Sequence, residues 1–240
     1  MLELVGISRQ FGALRVIDCL DFRIDQGELL GILGPNGAGK TTLFNVVSGV
    51  IAPSSGRIVF DGRDITRLKV WDRCRLGISR TYQIPKPFAH MSVFENILVA
   101  AVHGGRMGNA IAKAEAMRVL KTIGLAARSD TPAGQLPLLD LKRLELGKAL
   151  AQRPRLLLLD EIAGGLTTVE CDALLDLVRV VRADGVTVVW IEHVINALRR
   201  IATRLAVLHG GGIICSGTPD EVLADNRVRE VYLGAQGLVP

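Results

Sequence analysis

With 240 residues the chain is long enough for one domain with a subdomain and a sizeable core. Its longest apolar runs are short, six residues at 97–102 and four leucines at 156–159, where a membrane-spanning helix needs about 18 or more. With 29 Lys and Arg against 24 Asp and Glu, the net charge of +5 suits work beside an anionic leaflet and gives no strong pointer to nucleic acid.

The opening MLELVGISRQ has no basic segment followed by an apolar core, so no secretory signal is expected. Short alternating stretches (LELVGIS, CLDFRI, GRIVFDG) predict an antiparallel sheet from residues 1–28 and 56–66. Residues 29–33 read as a buried strand entering a glycine loop. A helix starting at Lys40 follows, stopped by Gly49 and Pro53. Residues 84–150 hold no convincing strand and several amphipathic patterns, 110–123 among them, which predicts a helical insertion. Residues 156–159 and 186–191 are continuous apolar strands, each followed by a polar residue at the carboxyl end, where open α/β sheets bind ligands. The alternation predicts an α/β parallel core over 29–55, 67–83 and 151–240, interrupted by the helical subdomain.

Arg63, Arg67, Arg73, Arg75 and Arg80 fall in one region, without the interleaved aromatics that a single-strand binder needs, and read as solvated faces. Cys19, Cys74, Cys171 and Cys215 lie far apart with no metal-ligand spacing, as expected of thiols in a reducing cytosol.

Gly34-Pro-Asn36-Gly37-Ala38-Gly39-Lys40-Thr41 fits GxxxxGK[ST] between a strand and a helix. In that context glycines let backbone N–H groups curl around a phosphate at a helix N-terminus. Lys40 is expected to reach the β- and γ-phosphates, Thr41 to ligate Mg²⁺, and Thr42 to continue the cradle. Nucleoside triphosphate binding follows from the loop; the kind of NTPase does not. Asp160, at the end of LLLLD, is expected beside the loop as a Mg²⁺ ligand through water. Glu161, one residue on, can polarise the attacking water.

With these residues the chain resembles an ABC-type ATPase over nearly its whole length. Gln83 in Arg-Thr-Tyr-Gln matches the family's Q-loop, His193 in Trp-Ile-Glu-His matches the switch histidine, and Phe11 stands where the family stacks an aromatic on adenine. The resemblance implies a P-loop NTPase fold: a RecA-like parallel core sheet, an N-terminal antiparallel β subdomain and an inserted helical subdomain. It also implies that Phe11 and Val16 contact the nucleotide, that Gln83 senses Mg²⁺ and water, and that His193 bonds the γ-phosphate. Readings as a GTPase or P-loop kinase gain no comparable support.

RTYQIPKPFAHMSVFENILVAAVHG, KRLELGKALAQRPRLLLLDE and the ending GTPDEVLADNRVREVYLG look like the ATP-binding subunits of branched-chain amino-acid importers. Lipopolysaccharide-export ATPases share that ending and are the near neighbour. The resemblance implies a peripheral protein on the cytoplasmic face of the membrane, with permease subunits, a second ATPase and, indirectly, a substrate-binding protein as partners, and no nucleic acid. Residues 84–88 and the helical insertion would grip the permease. The remaining alternatives are a soluble non-transport ABC ATPase and a non-hydrolysing nucleotide-gated scaffold.

One stretch departs from the pattern. The family's Leu-Ser-[Gly/Tyr]-Gly-Gln signature is here Leu136-Pro137-Leu138-Leu139-Asp140. Pro137 has neither N–H nor hydroxyl, Leu139 replaces a glycine, and Asp140 is expected to cap the next helix and to repel ATP. Ile162 replaces the usual Pro, and Thr167 ends a loop that often ends in Asp or Asn. Because the signature of such dimers completes the partner's nucleotide site, the resemblance favours a heterodimer with one competent and one weak site, with a homodimer or a sub-branch that uses backbone contacts alone as the alternatives.

Overall fold

The computed structural model describes residues 1–233. In chain order the elements are β1 (Leu2–Phe11), β2 (Leu14–Ile24), β3 (Leu29–Leu33), α1 (Lys40–Ser48), β4 (Ser55–Phe60), β5 (Arg63–Asp64), α2 (Val70–Arg75), β6 (Ile78–Arg80), α3 (Val93–Val99), α4 (Asn109–Thr122), α5 (Leu138–Leu150), β7 (Leu156–Asp160), α6 (Thr168–Ala183), β8 (Thr187–Ile191), α7 (Ile195–Arg199), β9 (Arg204–His209), β10 (Gly212–Gly217), α8 (Pro219–Ala224) and α9 (Asn226–Leu233). Gly234, last of the YLG ending, lies outside the described residues. The described residues form two compact units, 1–70 with 187–233, and 71–186.

The first unit holds the expected antiparallel sheet, ordered β2-β1-β4-β5. Alternate residues of β1 (Leu2 and Leu4) and of β4 (Ile58 and Phe60) point into its core. The same unit carries β3 between β8 and β9, parallel to both, with β10 antiparallel on the edge. All five residues of β3 and of β8 are buried. That explains their unbroken apolar runs, since such strands are covered on both faces. Gly49 stops α1 as expected, in the left-handed conformation, its N–H donating to the Val46 carbonyl.

The second unit pairs β6 with β7 in parallel, Ile78 opposite Leu156 and Arg80 opposite Leu158. Between them the chain is helical, as expected: α3, α4 and α5 pack together, α3 running on through a π-helical turn at Ala100–Gly104. Gly147 brings α5 close to its neighbours, because a Cβ there would sit 2.6 Å from Ile123 Cδ1 and 3.2 Å from Ile97 Cδ1. The only strand-like feature among the described residues of 84–150 is an isolated Ser92–Pro132 bridge.

Two expectations are corrected. Arg73 and Arg80 are not solvated: Arg73 is buried, and Arg80 turns inward onto Asp160. Asp140 does not cap α5. The helix begins one turn earlier, with Pro137 at the cap position, so Asp140 lies inside the first turn. Its carboxylate is met by Arg143 at 3.3 Å and Arg128 at 3.5 Å, so its charge is balanced within the unit.

Candidate functional site

In the first unit β3 delivers the chain into the glycine loop, and α1 starts at Lys40. Gly39, at the N-cap of α1, has φ 97°, a conformation that side chains resist. A Cβ there would also lie 3.0 Å from the Val16 carbonyl oxygen and 3.1 Å from Val16 Cγ1, so Val16 lies close against the loop. No side chain caps α1 and no acidic residue stands in its first turn. The first-turn amides at Thr41 and Thr42, which a helix cannot satisfy internally, therefore form a positive rim. The Lys40 ammonium is buried and donates to the carbonyl oxygens of Gly34 at 2.7 Å and Pro35 at 3.0 Å, lying across the loop. Ala38 N–H donates to the Pro35 carbonyl, closing the turn that exposes Asn36 and Gly37.

His193 follows β8, which runs parallel to β3 with Ile191 opposite Ile32, so loop and histidine leave the same end of the sheet. Its side chain is 57% exposed, with Nδ1 3.4 Å from the Glu192 carboxylate. Glu192 is fully buried and accepts hydrogen bonds from the His193 N–H at 2.9 Å and the Val194 N–H at 3.4 Å. That carboxylate fixes the turn presenting the imidazole. Sequence reasoning passed over Glu192, although a charged residue directly after the apolar run 188–191 was the available signal. Phe11, at the β1–β2 turn, exposes its ring, and the Arg9 guanidinium lies 4.5 Å from the ring centroid.

In the second unit the ends of β6 and β7 are tied together. Thr81 N–H donates to the Leu158 carbonyl at 2.9 Å, and its hydroxyl accepts from the Asp160 N–H at 3.2 Å. Asp160 is buried and forms an ion pair with Arg80. Glu161 takes φ 45°, rare for a side-chain-bearing residue and costing of order 1–3 kcal/mol. That turn brings its carboxylate to Gln83, whose Nε2 donates to Glu161 Oε2 at 2.5 Å. Gln83 and Glu161, 78 residues apart, are thus side by side.

The loop after Glu161 ends at Thr167, which caps α6: its hydroxyl accepts from the Glu170 N–H, and the Glu170 carboxylate accepts from the Thr167 N–H. Thr167 is thus a helix cap, a task for which Asp and Asn are also suited. Leu138, in the signature position, exposes its side chain at the start of α5. Ile162 is fully buried.

Residues 17–164 match the family described as ABC transporter, and residues 213–237 match that described as branched-chain amino acid ATP-binding cassette transporter. The chain is 32% identical to the probable branched-chain amino acid transport ATP-binding protein LivG of Archaeoglobus fulgidus, over 98% of this chain and 96% of that one. It is 34% identical to the lipopolysaccharide export system ATP-binding protein LptB of Acidithiobacillus ferridurans, over 98% and 99%. It is 33% identical to the high-affinity branched-chain amino acid transport ATP-binding protein BraF of Pseudomonas aeruginosa, over 98% of each. Among solved structures, the ADP conformation of MJ1267, an ATP-binding cassette of an ABC transporter, superposes with a TM-score of 0.89 at 29% identity over 98% of each chain. A nucleotide-free cassette from an ABC transporter gives 0.88 at 28% identity, over 96% of this chain and 98% of that one. Among the described residues no helix is long and apolar enough to cross a membrane.

Proposed function

This chain belongs to the ABC transporter family of ATP-binding proteins, and from that premise we propose that it powers uptake of branched-chain or other small amino acids through a separate permease. As a member of that family it binds nucleotide and is an ATPase. The observation that carries the hydrolytic reading is the Gln83–Glu161 contact, a carboxylate held on a left-handed turn directly after Asp160.

In this mechanism Lys40 leaves the Gly34 and Pro35 carbonyls to bind the β- and γ-phosphates, and the first-turn amides of α1 hold the phosphate oxygens. Phe11 stacks on the adenine beside Val16. Glu161 accepts a proton from the attacking water, which Gln83 helps to orient. His193, braced by Glu192, donates to the γ-phosphate as negative charge develops. The donor chemistry fits Mg²⁺: in this reading Thr41 would supply a hydroxyl, Asp160 a carboxylate and Gln83 an amide oxygen, all hard ligands. When bound, the ion neutralises phosphate charge. No His, Cys, Asp and Glu cluster among the described residues suggests a different metal.

The start of α5 supports a heterodimer. Pro137 offers no N–H or hydroxyl, and Leu138, exposed at the start of α5, belongs to the stretch that stands in for the family's signature. We place the protein on the cytoplasmic face of the membrane, with a second ATPase of intact signature, permease subunits and, indirectly, a substrate-binding protein. Lipopolysaccharide export is the second reading, favoured by the 34% identity to LptB; the match of residues 213–237 to the branched-chain family weighs for amino acids.

The test is ATP turnover by the purified chain with and without a second ATPase. Slow hydrolysis alone, restored by the partner, is expected, and Glu161→Gln should trap ATP and abolish that restoration. Strong cooperative turnover by the chain alone would overturn the heterodimer. Unchanged turnover in Glu161→Gln would overturn the catalytic assignment.

A further inference from the structure

Gln83 begins a segment, Gln83-Ile84-Pro85-Lys86-Pro87-Phe88, that cannot hold itself in place. Pro85 and Pro87 have no N–H, and the segment belongs to neither helix nor strand. Asn96 of α3 holds the Phe88 end, accepting from its N–H at 2.8 Å and donating to its carbonyl at 3.1 Å, and one face of α5 holds the Gln83–Lys86 backbone. Lys142 Nζ donates to the Gln83 carbonyl at 2.8 Å, and Lys148 Nζ donates to the Lys86 carbonyl at 2.8 Å. Between them Glu145 accepts from the Lys86 N–H at 3.3 Å and from Lys148 Nζ at 2.7 Å. The three side chains recur every third residue, which puts them on one helix face.

Lys142 and Glu145 are each 4% exposed. Burying a charge is costly unless geometry and hydrogen bonds repay it, so a Lys and a Glu spent on carbonyl and amide groups of an irregular segment indicate a constrained position. The other end of that constraint is chemical, since the Gln83 side chain donates to Glu161. A displacement of α5, whose first turn is the altered signature, therefore moves the backbone carrying Gln83.

Resting on the reading of Gln83 and Glu161 as the hydrolytic pair, we propose that Lys142, Glu145 and Lys148 tether the Gln83–Lys86 backbone to α5 and that Lys142 is a positioning residue for hydrolysis, acting through Gln83. The side chains of α5 then transmit the state of the signature end to Gln83, and the Lys86 end transmits it to the residues beyond.

The experiment compares Lys142→Met, Lys142→Arg and Gln83→Ala in the transporter assembled with its permease and second ATPase. Lys142→Met should lower kcat about 10-fold with KM for ATP within about twofold, the pattern of a group that acts in the transition state and not in binding. Lys142→Arg should restore most of the rate. In a Gln83→Ala background Lys142→Met should add no further loss, because both changes act through one side chain. Wild-type turnover in Lys142→Met, or losses that multiply in the double variant, would overturn the proposal. Lys142→Gln, which keeps a donor without the buried charge, replaces Lys142→Met should the latter not fold. Amide exchange at Gln83, Ile84 and Lys86 is read in parallel and should quicken several-fold in Lys142→Met; unchanged exchange also overturns the tether. If Gln83→Ala and Glu161→Gln leave turnover intact while exchange still quickens, the hydrolytic reading fails and the tether stands.

Discussion

Arg80 and Asp160 form an ion pair of 2.6 Å in which the side chains are only 7% and 5% exposed. Each charge is removed from water by the same fold that supplies its partner. Deleting one partner leaves the other buried and uncompensated, which costs roughly 3–5 kcal/mol. Arg80→Met should therefore lower unfolding stability by about that amount, read as a shifted urea midpoint, while Arg80→Lys should lose less. A midpoint within error of the wild type would mean that Asp160 is neutralised elsewhere.

Gly39 and Val16 set the second expectation. A methyl group at position 39 meets the Val16 carbonyl at 3.0 Å on a backbone with φ 97°. The loop must shift to admit Gly39→Ala, and its amides then no longer converge on one phosphate. ATP affinity, followed by equilibrium binding of a fluorescent analogue, should fall at least about tenfold, equivalent to about 1.4 kcal/mol. Gly37→Ala meets nothing within 4 Å and serves as the steric control, its own φ of 81° contributing backbone strain alone. Equal losses in the two variants would exclude the Val16 contact as the cause.

Thr167 caps α6 in a reciprocal arrangement with Glu170. Thr167→Ala should cost about 1 kcal/mol, within the range of lost caps, and Thr167→Asp should restore most of it. Thermal unfolding of the three proteins checks this. If Thr167→Ala is neutral, the departure from Asp or Asn at this position needs a different explanation from capping.

The features readable in the sequence were those carried by local pattern. Unbroken apolar runs located β3 and β7 because strands covered on both faces have no polar side, and the glycine at 49 marked the end of α1 because left-handed backbone favours it. The glycine loop was legible because its chemistry is concentrated in eight consecutive residues. The pairings were not legible. Arg80 carries the same symbol whether it is solvated or, as here, buried against a residue 80 positions away. Lys142 has the same helical spacing as a surface lysine, and its burial depends on where the 83–86 backbone passes. Asp140 looked like a cap because a Ser/Thr/Asp/Asn residue before an apolar stretch commonly is one. The helix starts earlier, directly after Pro137, and Arg128 and Arg143 give the carboxylate another role. The left-handed backbone at Glu161 has no signature in residue type at all.

Glu115 supplies a pH-dependent expectation. Its side chain is buried on α4, where burial alone would raise its pKa. Hydrogen bonds and charge from Arg118 at 2.7 Å and Arg153 at 2.8 Å outweigh that and hold it below its ordinary 4.5. The unfolded carboxyl therefore binds its proton at a higher pH than the folded one. The stabilisation is complete above about pH 4.5 and is lost as pH falls through the lower folded value. Glu115→Gln removes the charge at every pH, so it should be less stable than the wild type at pH 7. The gap between their urea midpoints should narrow as pH falls below about 4.5, where the unfolded carboxyl takes up its proton while the folded one still holds its charge. Other carboxylates titrate alike in both proteins and cancel in the difference. A gap that stays constant from pH 7 to pH 3 would show that Glu115 contributes through packing and not through its charge.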